Sequence, residues 1–226
     1  LPANSFIIGG VIFATLRLMK LQILFIRHGQ TDENIIPLYR RYTIDEFNAM
    51  IKASPTEMSI NQTGEKQIRM LAEQLRPLGV RQIITSPFRR TRESSAILAE
   101  VWGAETIVHD DLGELVLARA PWSGGRRRRF YGLLCAMTIW RHAWPWTKEE
   151  ETVYQAWRRS KRVWHDLIAH GRRHDPLPIV VVSHLGFLRI LLLWLQWTPG
   201  CRIVKRDLRN GGLSIVHVDR AVYRDE

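Results

Sequence analysis

Leu21-Gln22-Ile23-Leu24-Phe25-Ile26-Arg27-His28-Gly29-Gln30-Thr31 is an apolar run that stops abruptly on an arginine, a histidine and a glycine. A bounded stretch of about six residues rich in Ile, Leu and Phe predicts a strand buried on both faces, the habit of a parallel sheet. Its last residues then lie at the carboxyl edge of that sheet. Ligands of open α/β sheets bind at this edge, where strand-to-helix turns leave a crevice and helix amino termini point into it. Arg27 beside His28 therefore suggests an anion site that holds a nucleophile or base.

A second stretch ends in the same way. Ile179-Val180-Val181-Val182 is the strongest strand in the chain, and it runs into Ser183-His184-Leu185-Gly186. Two buried strands that each deliver a histidine to the same edge can set two imidazoles facing across one crevice.

The remaining chain supplies helices and an anion-binding turn. Residues 35–60 form a long irregular connection with one short helix. A helix begins at Thr63, with Ile68, Leu71, Ala72 and Leu75 at helical spacing, and ends near Pro77. Val80–Thr85 is a second strand, and Ser86-Pro87 are expected to cap and open the helix that follows it. Arg89, Arg90 and Arg92 fall in its first turns. Cations there oppose the helix dipole, so one of them is expected to face a bound anion and at least two to be solvated. Glu105–Val108 is a third strand leading into an acidic cluster at 110–114. A helix over Glu149–Gly171, another over Phe187–Trp197 and a closing strand Leu213–Val218 complete the core. Residues 115–150 carry Gly124-Gly125, Arg126–Arg129, Trp140, Trp144 and Trp146, a composition that suggests an insertion lying over the domain.

The 226 residues suit one sizeable α/β domain, and the apolar fraction of 46% excludes wholesale disorder. Thirty-three Lys and Arg against 22 Asp and Glu give +11 and a pI near 10.3, which favours acidic partners. Cys135 and Cys201 make neither a disulfide framework nor a C-x-x-C pair, so a reducing cytoplasm without structural zinc is expected. The first apolar run, Phe6–Ala14, is too short to span a bilayer, and no integral membrane segment is expected. Met19 is read as a natural start, with 1–18 as an amino-terminal extension and 19–226 as the domain.

Arg27, His28, Arg90, His184 and an acid from 110–114 are suited to phosphoryl transfer. Guanidinium groups hold phosphate oxygens in pairs, a neutral imidazole can attack phosphorus, and a carboxyl can protonate the departing oxygen.

The sequence resembles the histidine phosphatase, or phosphoglycerate-mutase-like, superfamily. Arg27-His28-Gly29-Gln30-Thr31 with Asn34, Ser86-Pro87-Phe88-Arg89-Arg90-Thr91-Arg92 and Ser183-His184 match its motifs in order, from about Leu21 to Val218. The resemblance implies a three-layer α/β/α sandwich with a mostly parallel central sheet, plus a cap insertion at 115–150. It also implies a phosphohistidine on His28 and a phosphate pocket of Arg27, Arg90 and His184, with Asn34 contributing. The family's acid follows a leucine and one further residue, which matches Leu112-Gly113-Glu114 and selects Glu114 over Asp110 and Asp111. The chain departs from the family after Glu114, where Leu115–Trp122 replaces the usual Gly-x-Trp-Glu-Gly, and Gln30 replaces a common Glu. The expected activity is metal-independent and cofactor-free hydrolysis of a small phosphorylated metabolite, with no nucleic-acid partner. A phosphomutase of the same superfamily, or a non-catalytic anion- or nucleic-acid-binding module, is the alternative.

Overall fold

The computed structural model describes residues 7–8, 11–12, 20–52, 56–115, 127–142, 151–174 and 178–219. Strands β1 (Lys20–Arg27), β2 (Gln82–Thr85), β3 (Glu105–Val108), β4 (Ile179–Ser183), β5 (Cys201–Lys205) and β6 (Leu213–Asp219) form one sheet in the order β3-β2-β4-β1-β6-β5. Neighbours are parallel from β3 to β1, and β6 runs antiparallel to both β1 and β5. Among the described residues the helices are α1 (Ile44–Lys52), α2 (Gln62–Leu75), α3 (Arg89–Trp102), α4 (Tyr131–His142), α5 (Val153–His174) and α6 (Leu185–Leu195).

Alternation along β1 produces the three layers. Leu21, Ile23 and Phe25 pack on one face with Trp164 and Leu167 of α5 and Phe187 and Leu191 of α6. Leu24 and Ile26 pack on the other with Ile68, Leu71 and Leu75 of α2 and Leu98 of α3. Each such side chain contributes about 1.5–3 kcal/mol on burial. Because both faces are apolar, burial alone does not set the register of β1. Its polar end does: sliding the strand inward would draw Arg27 into the sheet, where an unpaired charge is costly. Arg27 instead lies opposite Ser183, level with the end of β4.

Several expected boundaries shift. Ser86 does not cap α3, which opens at Arg89 after Phe88 in the cap position. Its hydroxyl is engaged elsewhere, as described below. α5 runs from Val153 to His174 and α6 from Leu185 to Leu195, so both differ by a few residues from their predicted spans. β5 and α4 were not predicted. β5 is an edge strand with polar residues at Arg202 and Lys205, which hides its pattern, and α4 lies within the expected insertion. α4 follows a short ladder that pairs Arg41–Tyr42 with Arg129–Phe130, and Leu134 packs with Ile44 and Phe47 of α1. Residues 116–126 and 143–150, including Arg126, Trp144 and Trp146, lie outside the described residues, as does most of 1–18.

Candidate active site

β1 and β4 end side by side, and the backbone N–H of His28 donates to the Ser183 carbonyl at 3.1 Å. The turn after β1 is pressed against the start of α2. A Cβ on Gly29 would stand 2.6 Å from the Gly64 carbonyl oxygen, and one on Gly64 would collide with the Gln30 backbone, so the approach needs glycine on both sides. On the opposite side the 206–212 loop clamps the turn: Arg27 Nη1 donates to the Leu208 carbonyl at 3.0 Å, and Gly211 N–H is shared by the Arg27 and His28 carbonyls.

His28 is 3% exposed, and its hydrogen bonds fix its tautomer. Nδ1 lies 2.7 Å from the Gly29 carbonyl, which can only accept, so Nδ1 carries the proton. Nε2 is left with its lone pair and accepts from Arg90 Nε at 3.3 Å. Burial first, then the Arg90 and Arg27 charges, hold the imidazole far below its ordinary range, at about 3. A neutral, oriented ring with its lone pair beside a guanidinium is the form a nucleophile needs.

His184 is fully buried 5.3 Å from His28, centroid to centroid, and the edge of Phe88 packs against it at 4.8 Å. Ser86 Oγ accepts from the Phe88 N–H and bonds His184 Nε2 at 2.8 Å; where the hydroxyl donates to Nε2, the imidazole proton lies on Nδ1. Among the described residues that buried Nδ1 has no partner, and neither has Arg27 Nε. Burial, Arg90 and His28 hold His184 well below the ordinary histidine range. A buried guanidinium N–H without an acceptor, beside a buried imidazole nitrogen that can carry a proton, suits an incoming oxyanion.

Of the three arginines at the start of α3, Arg90 is buried, whereas Arg89 pairs with Glu93 on the surface and Arg92 is exposed. Arg90 lies over the Phe88 ring at 5.0 Å.

Glu114 lies at the amino end of α6. Its carboxylate accepts from the backbone N–H groups of Gly186 and Phe187 at 3.3 and 3.2 Å, and from Leu115 at 2.9 Å. Gly186 makes room for it, since a Cβ there would stand 2.7 Å from Glu114 Oε1. The loop that carries Glu114 is anchored by Arg159 of α5, whose Nη1 donates to the Gly113 carbonyl at 2.8 Å while its guanidinium pairs with Glu151 at 2.6 Å. Ser183 Oγ adds a bond to the Leu112 carbonyl. Asn34 also reaches the cavity: its Oδ1 accepts from Thr31 N–H and Asn210 Nδ2, which closes the turn onto the 206–212 loop, and neither bond uses its Nδ2, the donor a phosphate needs.

Arg27, His28, Asn34, Arg90 and Glu114 thus line one cavity of about 530 Å³, with His184 directly behind them. Sequence reasoning missed Ser86, Arg159 and Gly186 as positioning residues. Ser86 and Gly186 stand within the quoted motifs, whereas Arg159 is one cation among many on a helix. Among the described residues no cluster of His, Cys, Asp and Glu is placed to hold a metal ion, and no helix is long and apolar enough to cross a membrane.

A family profile described as histidine phosphatase superfamily (branch 1) matches residues 23–224. A probable phosphatase of Schizosaccharomyces pombe is 33% identical over 92 residues, 41% of this chain and 38% of that relative. A probable phosphoglycerate mutase of Photorhabdus laumondii is 31% identical over 96 residues, 42% of this chain and 38% of its own length. The matched stretch thus spans well under half of either relative. A solved structure called mycobacterial hydrolase 2 superposes with a TM-score of 0.59 at 22% identity, covering 80% of this chain and 75% of that one, which shows a shared fold. The profile takes in nearly all of the sheet and every motif gathered at the cavity, and the chain belongs to the histidine phosphatase superfamily.

Proposed function

We propose that the protein is a phosphomonoester hydrolase working through a phosphohistidine on His28. The observation that carries this is the Nε2 lone pair of His28, fixed by the Nδ1–Gly29 bond and flanked by Arg90. Nε2 attacks phosphorus in line as the ester P–O bond breaks, and Glu114 gives its proton to the departing alkoxide. Water then attacks the phosphorus of the phosphohistidine, its proton passes to the Glu114 carboxylate, the P–N bond breaks, and inorganic phosphate leaves. Arg27, Arg90 and His184 Nδ1 donate to the phosphate oxygens in both steps, where donors aimed at developing charge typically supply the largest share of rate. Asn34 holds the turn through its Oδ1 and donates to the phosphate from Nδ2.

No metal or cofactor takes part in this scheme, and the substrate is a small phosphorylated metabolite rather than a nucleic acid. Two unpaired cysteines favour a reducing compartment, the cytoplasm. The test is phosphate release from a panel of phosphomonoesters with and without a chelator, with His28→Ala as control and acid-labile phosphate on the protein trapped by rapid quench. Turnover lost to the chelator, or retained in His28→Ala, overturns the proposal. The likeness to a probable phosphoglycerate mutase favours a second reading, in which the same phosphohistidine returns its phosphate to another hydroxyl. Isomerised phosphoglycerate in excess of free phosphate would establish it.

A further inference from the structure

One wall of the cavity, built by α1 and α4, has its own chemistry. Phe47 and Met50 of α1 pack there with Tyr131 and Cys135 of α4, and Met58 and Ile190 add apolar surface elsewhere on the lining. Burial pushes the Tyr131 phenol and the Cys135 thiol up, so this wall carries no charge at neutral pH. Beyond the Tyr131 hydroxyl it offers no donor or charge to a second carboxylate or phosphate, and a good deal to a flat or branched hydrocarbon body.

Among the described residues, charge in the cavity is confined to the guanidiniums of Arg27, Arg90 and Arg189 and the carboxylates of Glu33 and Glu114. With both imidazoles neutral, the described lining carries one net positive charge. A phosphomonoester dianion turns that to one negative, and the proton that Glu114 must hold in order to donate it brings the balance to zero. A further anion on the substrate leaves an uncompensated charge in a partly enclosed site. Arg189 does not relieve this, because it stands close enough to Arg27 to repel it and so belongs to the phosphate end. Glu33 adds repulsion. It lies on the short turn Asp32–Ile35, half-buried on the cavity wall within electrostatic reach of Arg90.

We propose, on the basis of the phosphatase reading above, that the cavity selects monoesters of uncharged, apolar or aromatic alcohols. Phe47, Met50, Met58 and Tyr131 hold the alcohol, and Glu33 turns away esters that carry a second anionic group. The acidic partner expected from the chain's net charge is then the phosphate itself.

The experiment compares kcat/KM for 2-phenylethyl phosphate, ethyl phosphate and 3-phosphoglycerate. None of these has an activated leaving group, so differences report recognition of the alcohol. The wild-type protein prefers 2-phenylethyl phosphate to both others. Glu33→Gln lowers the preference over 3-phosphoglycerate by about tenfold, the worth of one moderately screened charge. Met50→Ala lowers the preference over ethyl phosphate by about fivefold, as expected for lost apolar contact. A wild-type protein that cleaves 3-phosphoglycerate as fast as 2-phenylethyl phosphate overturns the selectivity and leaves the phosphatase reading standing. A Glu33→Gln protein with an unchanged ratio overturns the role of Glu33 in the same way. Release of phosphate from none of the three, or release that survives His28→Ala, overturns the phosphatase reading and the selectivity together.

Discussion

At the His28 end of the cavity each reacting side chain is tied by a bond that reaches across the fold, whereas at the far end α1 and α4 meet through a cluster of three buried residues, Ile44, Phe47 and Leu134. His28, Arg27 and Glu114 are fixed by partners at Arg90, Leu208 and Gly186, on segments joined to the same sheet. The proposed chemistry sits where bonds cross between elements of the sheet, and the proposed recognition of the alcohol sits where sequence can change without disturbing the sheet. Variants at the first end should therefore abolish or slow the reaction on every substrate, and variants at the second should re-rank substrates.

The sharpest test is His28→Ala. Phosphate release should fall by at least about 10⁴-fold for every ester, since removal of a covalent nucleophile leaves only binding and charge stabilisation. Residual turnover that depends on the alcohol would mean that the far end takes part in the chemistry. Glu114→Gln follows, with a loss of about 10²–10⁴-fold on alkyl esters, the usual worth of proton transfer. Nitrophenyl phosphate should be spared, because its leaving group needs no proton.

Gly186→Ala sharpens the same division without touching a reacting atom. The new methyl group would meet Glu114 Oε1 at 2.7 Å and Leu115 Cδ1 at 3.0 Å, pushing the carboxylate off the start of α6. A misplacement of that size costs up to about 10²-fold. The loss should follow the leaving group as it does in Glu114→Gln, and the double variant should be little worse than Glu114→Gln alone. Additive losses would show that Gly186 matters through the fold and not through Glu114.

Acid lability should also belong to the His28 end. Folded His28 takes up its proton only near pH 3, whereas the unfolded chain does so near 6.5. Between those values the unfolded state binds more protons, so stability rises with pH and is lost as pH falls from 6.5 toward 3. His184 adds to the loss in the same direction. Each buried imidazole lowers the folded-to-unfolded ratio by up to about tenfold per pH unit in that window. Urea unfolding at pH 7, 5 and 4 checks this, because His28→Asn should remove one proton's share of the slope. An unchanged slope would mean that His28 is not held neutral.

The contrast between the two ends also explains what could be read from the sequence. A strand apolar on both faces that ends in Arg-His is a local signal, and so is Ile179–Val182 ending in Ser183-His184. A parallel sheet and the convergence of the two imidazoles followed from them, and the three layers were implied by the family resemblance. Glu114 was not local: its position depends on Gly186 and Arg159, which lie 72 and 45 residues along the chain. Ser86 looked like a helix cap because Ser-Pro often is one, but its hydroxyl is drawn to His184 across the sheet edge. β5 and α4 went unread because an edge strand with polar residues and a helix within an Arg- and Trp-rich stretch show weak periodicity. The far wall of the cavity is therefore the part that only the folded chain reveals.

Leu134→Ala should give the smallest effect, and it tests the weaker end directly. Leu134 is fully buried, and in a cooperative core its truncation would cost about 2–5 kcal/mol. Its cluster, however, is separate from the two that sandwich the sheet. Loss of packing there should open α1 and α4 locally and leave global unfolding almost unchanged. Such opening widens the apolar wall while leaving His28, Arg90 and Glu114 in place. KM for 2-phenylethyl phosphate should then rise about threefold, equivalent to roughly 0.7 kcal/mol, and kcat for ethyl phosphate should hold. A thermal midpoint lowered by the full cost of a core cavity would mean that α1 and α4 belong to the same cooperative unit as the sheet. The two ends would then differ in chemistry but not in rigidity.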